Sequence, residues 1–214
     1  MLISMITACL AFSITNAQTP AGGITSDTLQ SAPTVLPVET FTKYDEFGGI
    51  KLSPSGKYAV FMTGKYGRSL LVFMTMKDRK AISSVRCPED FEYYDFHWIS
   101  DRRIVYQLAE RQMSGVLSRT GEMFAIDVDG KKRNFIYGYR AGRQRQQTGT
   151  KLNVQKSNYA SAELINPLLN DKKRILIREM PWKEGAGFYY YTPDAKPIIS
   201  QLNVYTGHKR KLDV

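Results

Sequence analysis

The stretch Ile50-Lys51-Leu52-Ser53-Pro54-Ser55-Gly56-Lys57-Tyr58-Ala59-Val60-Phe61 decides how the rest of the chain is read. Two apolar runs flank a Ser-Pro-Ser-Gly reversal. Ser and Gly suit such a turn because they cap it locally or adopt unusual backbone angles. The stretch therefore predicts strand, turn, strand. It returns as Phe96-His97-Trp98-Ile99, the turn Ser100-Asp101-Arg102, and Arg103-Ile104-Val105-Tyr106. It returns again as Leu164-Ile165, a loop, and Asn170-Asp171-Lys172-Lys173-Arg174-Ile175-Leu176-Ile177. A second hairpin follows each time. Leu70 to Met74 runs through Asp78-Arg79 to Ala81-Ile82, and Met123 to Ile126 runs through Asp129-Gly130 to Phe135-Ile136. Leu202 to Tyr205, preceded by Ile198-Ile199, runs through Thr206-Gly207 to Leu212.

Two hairpins per unit make a four-stranded sheet, and such sheets repeated around an axis make a β-propeller. The predicted fold class is all-β, an incomplete β-propeller of about three four-stranded blades over residues 41–214. The blades fall at approximately 45–90, 91–140 and 160–214. Closed propellers have at least about four blades. An open stack leaves both ends uncovered, so self-association through open blade edges is expected. A self-contained β-sandwich is the alternative arrangement of the same strands.

Outside the repeat, residues 1–17 hold no charged side chain and end in Thr15-Asn16-Ala17, as a secretory signal peptide does. They lack the usual Lys or Arg near the start, and a buried strand or a misplaced start codon would also give this composition. Ile6-Thr7-Ala8-Cys9 resembles a lipoprotein cleavage box, with little apolar sequence before it. Residues 18–40 are rich in Thr, Ser, Ala, Pro and Gly and read as a flexible linker. The expectation is an exported protein, periplasmic or secreted, with no integral membrane span. Cleavage after Ala17 would leave Cys87 as the only cysteine, read as a small buried apolar residue. Only His97 and His208 are present, too few with these cysteines for a zinc site, so no metal and no cofactor are expected.

Two segments stand out as candidate contact surfaces. The formal net charge is +10, and residues 130–162, read as a basic interblade loop, hold eight basic residues and no acidic one. Within it Arg140, Arg143 and Arg145 are candidates for contact with an anionic surface, a solvated loop being the plain alternative. The aromatic run Phe188-Tyr189-Tyr190-Tyr191, with Trp182 upstream, offers Trp182, Tyr189, Tyr190 and Tyr191 as substrate- or partner-facing residues, unless the run only packs a blade. Interleaved bases and aromatics also suit single-stranded nucleic acid. An exported protein has little access to it, so no specific nucleic-acid partner is expected. His97, between Phe96 and Trp98, reads as a surface- or channel-facing residue with no nucleophile beside it, and His208 as an exposed turn residue.

Leu52-Ser53-Pro54-Ser55-Gly56-Lys57-Tyr58 resembles the blade-start signature of exported bacterial prolyl oligopeptidase family peptidases. So does the order Asp95-Phe96-His97-Trp98, Arg103-Ile104-Val105-Tyr106, then Gly121 to Gly130. Tyr137-Gly138-Tyr139-Arg140-Ala141-Gly142 and Gln147-Thr148-Gly149-Thr150 are similar to members of the same group. The resemblance covers roughly residues 41–214. It implies an N-terminal propeller that gates and orients peptide for a following α/β-hydrolase domain with a Ser-Asp-His triad. The chain departs from the family at that domain. It contains no Gly-x-Ser-x-Gly elbow, and its nearest fragment, Gly67-Arg68-Ser69-Leu70-Leu71, lacks the closing Gly. No catalytic residue is expected here, and the implied partners are peptide or a separate hydrolase domain. A free-standing periplasmic binding module is the reading from a different class.

Overall fold

The computed structural model describes residues 47–65, 68–141 and 157–212, all within one compact unit, Lys43–Val214. The segments read as signal peptide (1–17) and linker (18–40), and Arg143 and Arg145 of the basic loop, lie outside the described residues. The described residues are all-β, with three antiparallel sheets and no helix among them.

The first sheet is β1 (Phe47–Leu52), β2 (Tyr58–Lys65), β3 (Arg68–Thr75) and β4 (Ala81–Arg86), side by side in chain order. The second is β5 (Phe91–Ser100), β6 (Arg103–Arg111), β7 (Leu117–Asp127) and β8 (Asn134–Tyr137), in the same order. The third contains β9 (Ala160–Asn166), β10 (Arg174–Gly185), β11 (Phe188–Tyr191), β12 (Ile198–Asn203) and β13 (Lys209–Lys211). There β10 pairs with β9 and β12 along its first part and with β11 from Trp182 to Gly185.

Local chemistry explains the turns. In the opening stretch, Gly56 takes φ +72, where a side chain is strained, and its N–H reaches Ser53 O at 2.8 Å. The Ser53 hydroxyl accepts the Tyr58 N–H, and Asp101 in the equivalent turn of the second sheet accepts the Ser55 N–H at 2.8 Å. The sequence repeat is also a repeat of hydrogen bonds. After the third strand of each four-strand meander, the chain donates back to the residue that precedes the second: Met76 to Lys57, Val128 to Arg102, Val204 to Lys173. One residue earlier, Thr75, Asp127 and Asn203 donate across the following turn to Lys80, Lys131 and His208. Three stretches with little side-chain identity thus satisfy the same backbone groups in the same way.

Alternation along the strands creates two cores. Val60, Leu71 and Phe73 of the first sheet meet Phe96, Trp98, Ile104, Tyr106 and Ile126 of the second. From the opposite face of the second sheet, Ile99, Val105, Met123, Ala125 and Ile136 meet Ala162, Ile175, Ile177 and Leu202 of the third. The second sheet is therefore buried on both faces, and β6 is buried from Arg103 to Ala109. Strands enclosed in this way read as continuous apolar runs rather than half-buried alternation.

Two boundaries differ from the sequence reading. The third sheet has a fifth strand, because β10 and β11 form a hairpin through Ala186 (φ +48) and Gly187 (φ +82). Two successive positive φ angles match the twist of a two-residue hairpin turn. The basic segment 130–162 is not loop throughout: it contains β8 and the first residues of β9, whose side chains Ile136, Ala160 and Ala162 are core.

Candidate functional site

β6 is flanked at one level by two irregularities. In β5, Tyr93 pairs with Leu108 and Asp95 with Gln107, so Tyr94 is an extra residue. In β7, Arg119 pairs with Ala109 and Met123 with Gln107, leaving Thr120, Gly121 and Glu122 opposite Leu108. The Thr120 hydroxyl closes that bulge by donating to Leu108 O at 2.9 Å. Bulges re-aim side chains and recur beside functional sites.

A cleft of about 360 Å3 opens at these bulges, between the second and third sheets. Tyr94, Gln107, Arg119, Gly121, Ser161 and Glu163 contribute to its walls. Gly121 takes φ +67, and a Cβ there would lie 2.6 Å from Ser161 Cα, so only glycine lets β7 approach β9 this closely. Gln107 donates its amide N–H to Ala162 O at 2.9 Å and ties β6 to β9. The Arg119 guanidinium lies over the Tyr94 ring, 4.2 Å from its centroid.

Asp95, beside the β5 bulge, anchors a charged cluster. Its Oδ1 receives Lys51 Nζ at 3.0 Å and the Phe96 N–H at 2.8 Å, and its Oδ2 lies 2.6 Å from His97 Nε2. Lys51 also donates to Phe96 O at 2.6 Å, and its own carbonyl accepts the Trp98 indole N–H at 2.9 Å. Burial pushes the Asp95 carboxyl up, but the hydrogen bonds from His97 and Lys51 outweigh it and hold the group at about 2. Its partner Lys51 lies on another strand, and no local signal marks the pairing.

The predicted contact residues divide. Trp182 is half-buried at the base of the β10–β11 hairpin, where its indole N–H donates to Ser161 Oγ at 3.0 Å and its ring lies 5.5 Å from that of Tyr139. Tyr189, Tyr190 and Tyr191 are exposed on β11, with Phe188. Tyr189 stacks on Tyr159, ring centroids 3.7 Å apart, an aromatic pair the sequence reading did not single out. Arg140 is half-buried and has an internal partner. Its guanidinium grips the fully buried Glu122 from Nε and Nη2 and lies near the Phe91 and Tyr139 rings. That grip neutralises a carboxylate which the β7 bulge turns inward and which would otherwise be buried alone.

A second buried carboxylate, Glu179, accepts from Tyr137 Oη at 2.8 Å, from Ser200 Oγ and from Lys209 Nζ. It is a crosslink within and between the second and third sheets.

No family model matches the chain, and no curated protein matches it. Among solved structures it is similar to a protein described as a conserved lipoprotein of Clostridium novyi NT. That match has 10% identity and a TM-score of 0.47, covering 76% of this chain and 89% of the other. The hydrazine synthase of Kuenenia stuttgartiensis matches with 11% identity and a TM-score of 0.35, over 77% of this chain and 58% of that one. A functionally unknown protein from Desulfotomaculum acetoxidans DSM 771 matches with 11% identity and a TM-score of 0.25, over 80% and 72% of the two chains. Likeness at this level leaves function to the chain's own residues.

Proposed function

We propose that this chain is a recognition module built of propeller blades, the part of an exported prolyl oligopeptidase-like protein that gates and orients peptide for a hydrolase domain. The observation that carries the reading is the enclosure of the second sheet between two others. Successive meanders stacked face to face, each closed by the same backbone hydrogen bonds, are what blades around an axis require. The blade-start stretch Leu52 to Tyr58 and the Tyr137 to Gly142 stretch support the family within that architecture. Export rests on the charge-free start of the chain. No helix of the described residues is long and apolar enough to cross a membrane. Electron microscopy of the complete gene product tests the reading. A ring of blades capped by a second domain supports it, and a closed two-layer sandwich overturns it.

One observation favours the second reading, a free-standing binding module. The outward face of the third sheet is rich in charged contacts, with Arg178 paired to Glu163, Arg174 to Asp171, and Arg210 bonded to Gln201, beside Leu176 and Ile199. Such a face suits water better than a further blade. A monomer that melts cooperatively on its own would select this reading over the gated peptidase.

A further inference from the structure

We infer that the cleft between the second and third sheets binds a carboxylate, with Arg119 as the group that receives it. The inference goes beyond the propeller reading and does not depend on a hydrolase partner.

Arg119 is the arginine among the described walls of the cleft, and it differs from the arginines that hold carboxylates around it. Arg103 holds Asp127, Arg111 holds Glu92, Arg140 holds Glu122 and Arg178 holds Glu163. Arg119 has no carboxylate partner among the described residues. The two carboxylates at the cleft are already committed, Glu163 to Arg178 and Asp95 to Lys51 and His97.

Arg119 is also positioned. The extra residue in β5 presents Tyr94, whose ring supports one face of the guanidinium at 4.2 Å. A stacked guanidinium keeps its in-plane N–H fork available, and that fork matches a carboxylate in bidentate fashion. Gln107, buried and fixed by its bond to Ala162 O, has a side-chain carbonyl that can accept an N–H from the same ligand. A cavity of about 360 Å3 lies within the range of small-ligand sites, roughly 300–1,000 Å3. The net charge of +10 adds long-range attraction for an anion. The shared chemistry is a carboxylate on a small body, from either a peptide C-terminus or a free organic acid.

Equilibrium dialysis of the full chain tests this with three probes: a pool of N-acetylated tripeptides with free carboxyl termini, the same pool amidated, and succinate. The free-acid pool or succinate should bind, and Arg119→Gln should weaken that binding at least tenfold without shifting the melting temperature. Arg119→Lys, which keeps the charge and loses the fork, should fall between the two. Binding by the acid pool and not by its amide assigns the ligand to peptide termini, and binding by succinate alone assigns it to organic acids. Equal binding of acid and amide, no binding of either carboxylate probe, or unchanged binding in Arg119→Gln overturns the inference.

Discussion

Arg103 donates twice to the carbonyl oxygen of Val204, from Nε at 3.2 Å and Nη2 at 2.9 Å, across 101 residues of chain. Its Nη1 meets Asp127 Oδ1 at 2.6 Å, both terminal nitrogens reach Lys132 O at 3.3 Å, and the guanidinium lies over the Tyr205 ring. One fully buried side chain therefore joins the turn region of the second sheet to that of the third.

Arg103→Met should destabilise the protein by about 3 kcal/mol, because it leaves the largely buried Asp127 with only Lys132 Nζ, 3.8 Å away, as counter-charge and orphans a buried carbonyl. Arg103→Lys should recover less than half of the loss, since an ammonium cannot reproduce the fork. Urea unfolding followed by tryptophan fluorescence measures both.

Gly121→Ala should cost about 2 kcal/mol or more, combining a strained φ with a Cβ driven against the β9 backbone. Gly115→Ala is the matched control. Its φ is +81, but nothing lies within 4 Å of the added Cβ, so it should show the strain alone, about 1 kcal/mol. The difference in urea midpoints between the two variants reads the closeness of β7 to β9.

Asp95 gives the fold an acid dependence. Its carboxyl sits at about 2 when folded, below the ordinary value near 3.8. A depressed folded value means that the stabilisation is complete above the unfolded value and is lost as pH falls through the folded one. Wild-type stability should drop between about pH 4 and pH 2, and Asp95→Asn should remove that part of the slope. Thermal melts across this interval provide the measurement.

Cys87 should be inert in the folded protein. Burial pushes its thiol up to about 12, with Arg133 opposing only partly, so little thiolate exists at pH 8. Iodoacetamide should label the Cys87 peptide only after denaturant is added. Mass spectrometry showing rapid labelling without denaturant would mean that the first core opens readily.

Strand order was legible because the reversals carry their own chemistry: Gly56, Gly130 and Gly207 each take positive φ at the turn the sequence predicts. The β10–β11 hairpin was less so, since its turn is Ala186-Gly187, and alanine at φ +48 gives no sequence warning. The flanking aromatics, Trp182 and Phe188 to Tyr191, were the available clue. The cleft was not legible. It depends on bulges at Tyr94 and at Thr120 to Glu122, where residue counts on paired strands differ, and a single strand read alone does not reveal its partner's count. The ion pair of Arg140 was not legible for a related reason. Its counter-charge, Glu122, lies 18 residues away, so a local tally of basic residues sees only the cation.

β6 has a hydrogen-bonded strand along each edge and a packed sheet against each face. Its amide protons are screened in every direction that solvent could approach. Loosening of the first sheet or of the third would each expose one side and leave the other closed. Deuterium should therefore enter β6 last, at a rate set by global unfolding rather than by fraying at either end of the stack. The same enclosure leaves β6 no permissive side, so its middle residues answer at once to two interfaces that are otherwise separate.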